Sequence, residues 1–522
     1  MSRLSCLSAG LIALLLLVSA TATAQSSGDV LVSAQNIVAP LFKRLSHNAA
    51  IRVRIDVPRG RNYECTAITL RLDPASVASI ETVELFAGDE VFDANNAIQL
   101  ASVKAAGSLT MLFKHTCKPG ITYLWISVSL KDQADIDEKI ALSVSELVIG
   151  GVPKKPTTAQ DEGSSPFRMG IAVRKVWDDS VHTYRIPGMI ATNTGTLIAV
   201  YDVRYRTSRD LPGDIDVGMS RSTDGGRTWE PMKIIMDMGP PHENNGIGDP
   251  AILFDPTTKT IWVAALWSKG DRSIAGSEPG LSPDSTGQFV LVHSNDDGIT
   301  WSEPYNITAQ VKDPKWHLYF QGPGTGIAMK DGTLVFPSQY WDETRKPGIP
   351  HSSIIYSTDQ GKTWRSGIGA KANTTESQVV ETTPGVLMLN MRDNRGKYRS
   401  IATTTDLGKT WVEHHTSRRA LPDPVCMASI IKANVRIGSQ LGDVLFFCNV
   451  ATSSTRSNTT VKASLDLGES WPETNHLLID ERGTYGYSSL ARIDENTIGL
   501  LYEGERDLYF VRIPVTEVVS EP

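Results

Sequence analysis

The sequence predicts an all-β protein, a six-bladed β-propeller preceded by a small β-sandwich-like N-terminal domain. Three observations carry that prediction. An eight-residue string, Ser/Thr-x-Asp-x-Gly-x-Thr/Ser-Trp, occurs five times in the second part of the chain. Strand-like apolar runs, such as residues 197–201 and 386–389, flank the copies. In the first part, apolar and polar residues alternate with period two, the pattern of half-buried strands.

At 522 residues the chain is long enough for two or more domains. Residues 1–24 read as an export signal. Arg3 supplies the basic start, residues 11–18 form an apolar stretch too short to span a bilayer, and Ala22-Thr23-Ala24 gives a small-residue cleavage site before Gln25. Export to the periplasm or the extracellular space is expected, with no membrane insertion. Residues 26–155 are expected to form a separate β domain. There Ile51, Val53, Ile55 and Val57 alternate with Arg52, Arg54 and Asp56, and Leu124, Ile126, Val128 and Leu130 alternate with Trp125, Ser127 and Ser129. A carbohydrate-binding role and a spacer role are both open for it. Residues 156–166, rich in Pro, Thr, Ser and charge, read as a linker. Beyond the signal lie Cys65, Cys117, Cys426 and Cys448; bridged and reduced states are both open for Cys65 and Cys117.

Residues 167–522 carry the repeat. Its copies span 222–229, 294–301, 357–364, 404–411 and 464–471, about 50 to 70 residues apart, the length of a four-stranded blade with its loops. The string has the chemistry of a hairpin turn. Asp accepts hydrogen bonds from nearby amides, Gly takes the positive φ a tight turn needs, and Trp anchors the turn by burial. Five copies and one blade without a clean copy make six. These turns are scaffold and by themselves imply no enzyme.

Charge and motifs exclude several functions. The net charge of −7 comes without any basic stripe, which argues against nucleic acid. The glycine-rich run 322–326 lacks the lysine and the strand-to-helix context of a phosphate loop. His182, His242 and His351 are scattered, and the cysteines show no zinc-type spacing, so neither metal nor cofactor is expected.

The motif Tyr184-Arg185-Ile186-Pro187, followed by the five Asp-containing turns, resembles the bacterial exo-α-sialidases, or neuraminidases. The resemblance covers residues 170–512. It implies hydrolysis of terminal sialic acid from glycoproteins, glycolipids and oligosaccharides, with retention through a tyrosyl–sugar intermediate. Two alternatives accompany it: transfer of the sugar to an acceptor or within the sugar itself, and a non-catalytic sialoglycan-binding propeller. Residue by residue, it implies an arginine triad of Arg185, Arg392 (in Leu389-Asn-Met-Arg392-Asp393) and Arg456 (in Ser454-Thr-Arg456-Ser457) for the substrate carboxylate. A guanidinium suits that anion because it stays charged and offers a planar fork. Tyr487 matches the nucleophile and Glu376 its base. A neutral phenol spares a carboxylate nucleophile the repulsion of the anionic sugar, about 1 kcal/mol at 4 Å in water and about 4 at an effective dielectric near 20. Asp210, on the loop after the Asp-x-Arg strand end, matches the general acid. Arg204 and Asp249 match the residues at the sugar's O4 edge, and Glu503 the glutamate that orients Arg185. Trp267, Gln288 and Gln321 are candidates for the walls of the sugar pocket. Tyr485 and Glu381 are the decoys near Tyr487 and Glu376, while Asp214 and Asp216 are read as structural.

Overall fold

The computed structural model describes residues 29–158 and 166–519. The export signal at 1–24 and residues 159–165 of the expected linker lie outside the described residues. Among the described residues the fold is almost wholly β, with two short α-helices, Pro74–Ser79 and Thr308–Val311. Among these residues no helix is long and apolar enough to cross a membrane.

The first region packs two mainly antiparallel sheets face to face. Asn48–Val57 and Gly120–Leu130 lie at the centre of one, and Tyr63–Leu72 at the centre of the other. The alternation seen in sequence sets the inward faces: Ile51, Val53, Ile55, Leu124, Ile126 and Val128 are buried in a single core shared with Ile68, Leu70 and Met111 of the facing sheet. One face expected to be half exposed is covered. Trp125 is buried with Ile37, Ala39 and Phe86, because the outer surface of this sheet has its own small apolar cluster. Within the expected linker, Thr157–Thr158 pairs in parallel with Leu31–Asn36, so Thr157 and Thr158 gain backbone partners on the sheet edge. Cys65 and Cys117 are both buried, with their sulfurs 3.2 Å apart and unbonded.

Among the described residues the second region contains six mainly antiparallel sheets of four or more strands. In chain order their innermost strands begin at Thr183, Ile247, Leu318, Thr374, Ser429 and Ser488. The Asp-containing turns join the third and fourth strands of the first five sheets, as between Ser400–Thr404 and Val412–Glu413. In each turn the aspartate accepts the amide and hydroxyl of the residue four on. Asp359 takes Thr363 N at 2.9 Å and Thr363 Oγ1 at 2.6 Å, while Ser357 Oγ accepts Gly361 N. Gly361 has φ +84, and a side chain there would strike Trp262. The sixth sheet lacks the turn for a topological reason. Its outer strand is Phe167–Arg174, far upstream of its neighbour Leu508–Pro514, so no hairpin connects them.

The two regions are laced together. Leu41–Lys43 leaves the first region to pair in parallel with Met169–Ile171 of the sixth sheet. Phe42 stacks on Tyr509 at 4.1 Å, and Asp137 accepts Arg512 Nε at 2.5 Å.

Candidate functional site

Three innermost strands carry the same irregularity at the same end. The register slips between Arg185 and Gly188, between Gly248 and Ala251, and between Thr374 and Ser377. Each slip inserts one extra residue, and a bulge of this kind re-aims the side chains around it. The residues so placed are Arg185, Asp249 and Glu376. Ile186 and Asp249 also adopt positive φ, 57° and 54°, a costly conformation for residues with a Cβ.

The three triad arginines meet at the segment 485–487, just before strand Ser488–Arg492. Arg392 Nη1 donates to Tyr487 Oη at 3.0 Å. Arg456 Nη1 donates to the carbonyl of Tyr485 at 2.9 Å. The Arg185 guanidinium lies 4.3 Å from the centre of the Tyr485 ring and 5.4 Å from that of Tyr487. Glu503, fully buried at the end of Thr497–Glu503, fixes the assembly from behind. Its Oε1 accepts Arg185 Nε at 3.1 Å and Ile186 N at 2.9 Å, and its Oε2 accepts Tyr487 N at 2.9 Å. One carboxylate thus sets both an arginine and the backbone of the tyrosine.

Tyr487 donates its hydroxyl to Glu376 Oε1 at 2.5 Å, and Arg392 Nη1 reaches Glu376 Oε2 at 2.5 Å. Burial pushes the Tyr487 phenol well above its ordinary pKa, reinforced by the Glu376 charge and opposed by Arg392. The resting hydroxyl is therefore neutral, with its proton directed at a carboxylate. Arg392 Nε is buried and has no partner, a donor left free.

A second cluster adjoins the first. Arg204 is fully buried; its Nε and Nη2 grip Asp202 Oδ2 at 3.0 and 2.7 Å, and its Nη1 donates to Asp210 Oδ1 at 2.8 Å. The same Asp210 oxygen lies 3.4 Å from Arg185 Nη1. Burial raises the Asp210 pKa, but Arg204 and Arg185 outweigh it and hold the carboxyl below its ordinary value. Asp210 is therefore an ion-paired carboxylate here. Asp249 behaves oppositely. Burial first, and then the charges of Asp202, Asp210 and Glu376, raise its pKa well above the carboxylate range. A neutral Asp249 can donate a hydrogen bond.

All nine site residues expected from the sequence fall in this connected network. Asp202, the aspartate of the Asp-x-Arg strand end, joins the network as well: its Oδ1 accepts Asp249 N at 2.8 Å while its Oδ2 holds Arg204. Its place two residues before Arg204, on the same strand face, was the available signal. Tyr485, set aside as a decoy, stacks on Arg185. Glu381 and Asp214 lie elsewhere: Glu381 accepts Gly385 N and Lys330 N at the other end of its strand, and Asp214 pairs with Arg206. Asp216 accepts the hydroxyl of Tyr205. Gln321 donates to the carbonyl of Asp249 at 2.5 Å and leaves its buried Oε1 unpartnered. Gln288 is satisfied by Thr286 and Asn306, and Trp267 by Asn245, which are scaffold contacts.

Known proteins share this arrangement of domains. Residues 195–500 match the family described as a BNR repeat-like domain, and residues 29–153 match the N-terminal domain of BNR-repeat neuraminidase. A sialidase of Bacteroides fragilis (strain YCH46) is 49% identical over 392 residues, covering 74% of this chain and 71% of that protein. A sialidase of Micromonospora viridifaciens is 36% identical over 333 residues, 61% of this chain and 50% of the other. Among solved structures, Hadza microbial sialidase Hz136 superposes with a TM-score of 0.86 at 40% identity, covering 93% of this chain and all of that one. With both regions matched and 49% identity to a sialidase over 392 residues, the chain belongs to the bacterial BNR-repeat sialidases, glycoside hydrolases of β-propeller type that hydrolyse sialic acid.

Proposed function

We propose that the chain is a retaining exo-α-sialidase that works through a covalent bond between Tyr487 and the sugar. The observation that carries this reading is the 2.5 Å hydrogen bond from Tyr487 to Glu376, with Arg392 spanning both. The free Nε of Arg392, with Arg185 and Arg456, offers a cationic seat for the substrate carboxylate. That seat brings the anomeric carbon to Tyr487. As the phenol proton moves to Glu376, the phenolic oxygen attacks that carbon and the glycosidic bond breaks, with Asp210 delivering a proton to the departing oxygen. In the second step Asp210 takes a proton from water, the water oxygen bonds to the same carbon, and the tyrosyl–sugar bond breaks. Glu376 then returns its proton to Tyr487.

Asp210 must be protonated for the first step, yet it stands ion-paired with two arginines. A substrate carboxylate seated on Arg185 takes over that positive charge and raises the Asp210 pKa, so binding itself arms the acid. A neutral Asp249 and Arg204 then address the hydroxyl edge of the ring.

The sheets support a closed six-bladed ring, because neighbouring sheets touch in order, with Leu334–Trp341 of the third against Thr374–Thr383 of the fourth, and the last innermost strand, Ser488–Arg492, touches the first, Thr183–Ala191. We read a 26–155 sandwich, a 156–166 connector and a 167–522 propeller whose cores exchange a few residues: Phe167 and Met169 join the first core, and Phe42 joins a propeller core. The shared sheet edge favours a brace over an independently swinging module. Export is inferred from the basic, apolar and small-residue order of residues 1–24.

Incubation with a 2,3-difluoro sialic acid reagent, followed by peptide mass mapping, tests the reading. The expected product is one sugar on the peptide containing Tyr487. Labelling of a carboxylate, or inversion at the anomeric carbon in proton NMR of turnover, overturns it. The same NMR experiment distinguishes free sialic acid from a transferred or anhydro product.

A further inference from the structure

We propose that His414, His415 and Glu469 form a binding site for one divalent ion of the zinc class, tying the fourth sheet to the fifth. The three side chains come from adjacent sheets. His414 and His415 follow Val412–Glu413, the edge strand of the fourth sheet, and Glu469 lies in the Asp-containing turn 464–471 of the fifth. One ligand atom from each lies within 4.8 Å of the others. His414 Nε2 is 3.3 Å from Glu469 Oε1, and His415 Nε2 is 2.7 Å from Glu469 Oε2. The rings stack at 4.6 Å with 30° between their planes, so both present an edge nitrogen to one carboxylate.

The inner coordination shell has support behind it. His414 Nδ1 sits 2.7 Å from Thr416 Oγ1, and this side chain is only 11% exposed. A metal-bound imidazole is commonly oriented by a hydrogen bond at its other nitrogen. His415 and Glu469 are 59% and 62% exposed, free to adjust to bonds of about 2.0–2.2 Å. Among the described residues no Lys or Arg pairs with Glu469, whose negative charge meets only the two imidazoles. Two nitrogens and one carboxylate suit zinc, nickel or copper, whereas calcium and magnesium require oxygen cages. Solvent completes the fourth position.

The site is remote from the reaction. His414 N donates to the carbonyl of Ile401 on Ser400–Thr404, so that strand and Val386–Asp393 lie between the histidines and Thr374–Thr383, the strand that carries Glu376. The bound ion would therefore act on stability, clamping neighbouring sheets at their outer edge, and would leave the chemistry alone.

Isothermal titration of the chelator-treated full chain with Zn²⁺, and separately with Ca²⁺ and Mg²⁺, tests the site. Thermal melting and Co²⁺ absorption spectra complete the experiment. The wild type should bind one equivalent of Zn²⁺ at micromolar concentration, melt higher with Zn²⁺, and give the visible bands of four-coordinate Co²⁺. His415→Ala and Glu469→Gln, both at exposed side chains, should each weaken Zn²⁺ about tenfold or more, remove the melting shift, and keep full sialidase turnover. Absence of a saturable single equivalent, wild-type affinity in both variants, or equal binding of Ca²⁺ overturns the proposal.

Discussion

The fourth sheet can be compared end to end along Val386–Asp393 and its neighbours. At the end near Arg392, a guanidinium, a carboxylate and a phenol share one small volume, a donor on Arg392 stays unpaired, and the inner strand bulges at Glu376. At the other end, Asp406 accepts Thr410 N at 2.9 Å and Thr410 Oγ1 at 2.7 Å, and Thr404 Oγ1 accepts Gly408 N. These bonds, led by the Thr410 amide, push the Asp406 carboxyl down to about 2. Asp249, in the charged cluster beside Arg204, is driven the opposite way, because burial and three neighbouring carboxylates disfavour its charge. The same strands therefore end in turns whose polar groups satisfy one another and in a site whose polar groups await a ligand. Stability accumulates at one end and is given up at the other.

The largest way to break this contrast is Tyr487→Phe. Sialoside turnover should fall at least about 1,000-fold, because the residues of such a unit act together and none replaces the nucleophile. The melting temperature should hold or rise, since the change removes a buried hydroxyl from a strained, charged cluster. A variant with near-wild-type turnover would separate the Tyr487–Glu376 bond from catalysis altogether.

Asp210→Ala should cost less and show a distinctive pattern. Natural glycosides, which need a proton on the departing oxygen, should slow by about 10² to 10⁴. Aryl sialosides with good leaving groups should lose far less, and equal losses would identify another acid. The pH profile sharpens the point. A general acid works only below its pKa, and Arg204 and Arg185 hold that of Asp210 down in the free enzyme, against burial. The alkaline limb due to Asp210 should thus lie at higher pH in kcat, where substrate occupies Arg185, than in kcat/KM. Identical limbs would refute the arming of the acid by substrate.

The satisfied end was the more legible in sequence. Its five turns need fixed residue types at fixed spacing, because each aspartate bonds to residues within four positions of itself. The charged end draws on residues far apart in the chain, such as Arg185 with Glu503 and Glu376 with Tyr487, and no spacing rule links them. They became readable only through the family motif. Asp202 escaped that reading because its role lies in bonds to Arg204 and Asp249, which depend on an inner-strand bulge. The pair His414 and His415 escaped for a similar reason, since its third partner comes from the neighbouring sheet. Trp125 looked outward by alternation and is buried, because period two cannot report a second apolar layer on the outer face.

The smallest effect should come from the satisfied end. Asp359→Ala removes the acceptor for Thr363 N and Oγ1 and for Ser357 Oγ, and should lower stability by about 1–2 kcal/mol with kcat/KM unchanged. Asp359 is held down to about 2, where burial is outweighed by the hydroxyl and amide of Thr363. A carboxyl whose folded pKa is depressed stabilises the fold above its unfolded value, near 3.9. That stabilisation fades as the pH falls toward about 2. The melting gap between wild type and variant should therefore be widest near neutrality and narrow between about pH 4 and pH 2. A gap independent of pH would mean that the turn is held by its glycine and tryptophan, with the carboxylate contributing little. A drop in kcat/KM would mean that this turn of the third sheet is mechanically coupled to the charged cluster.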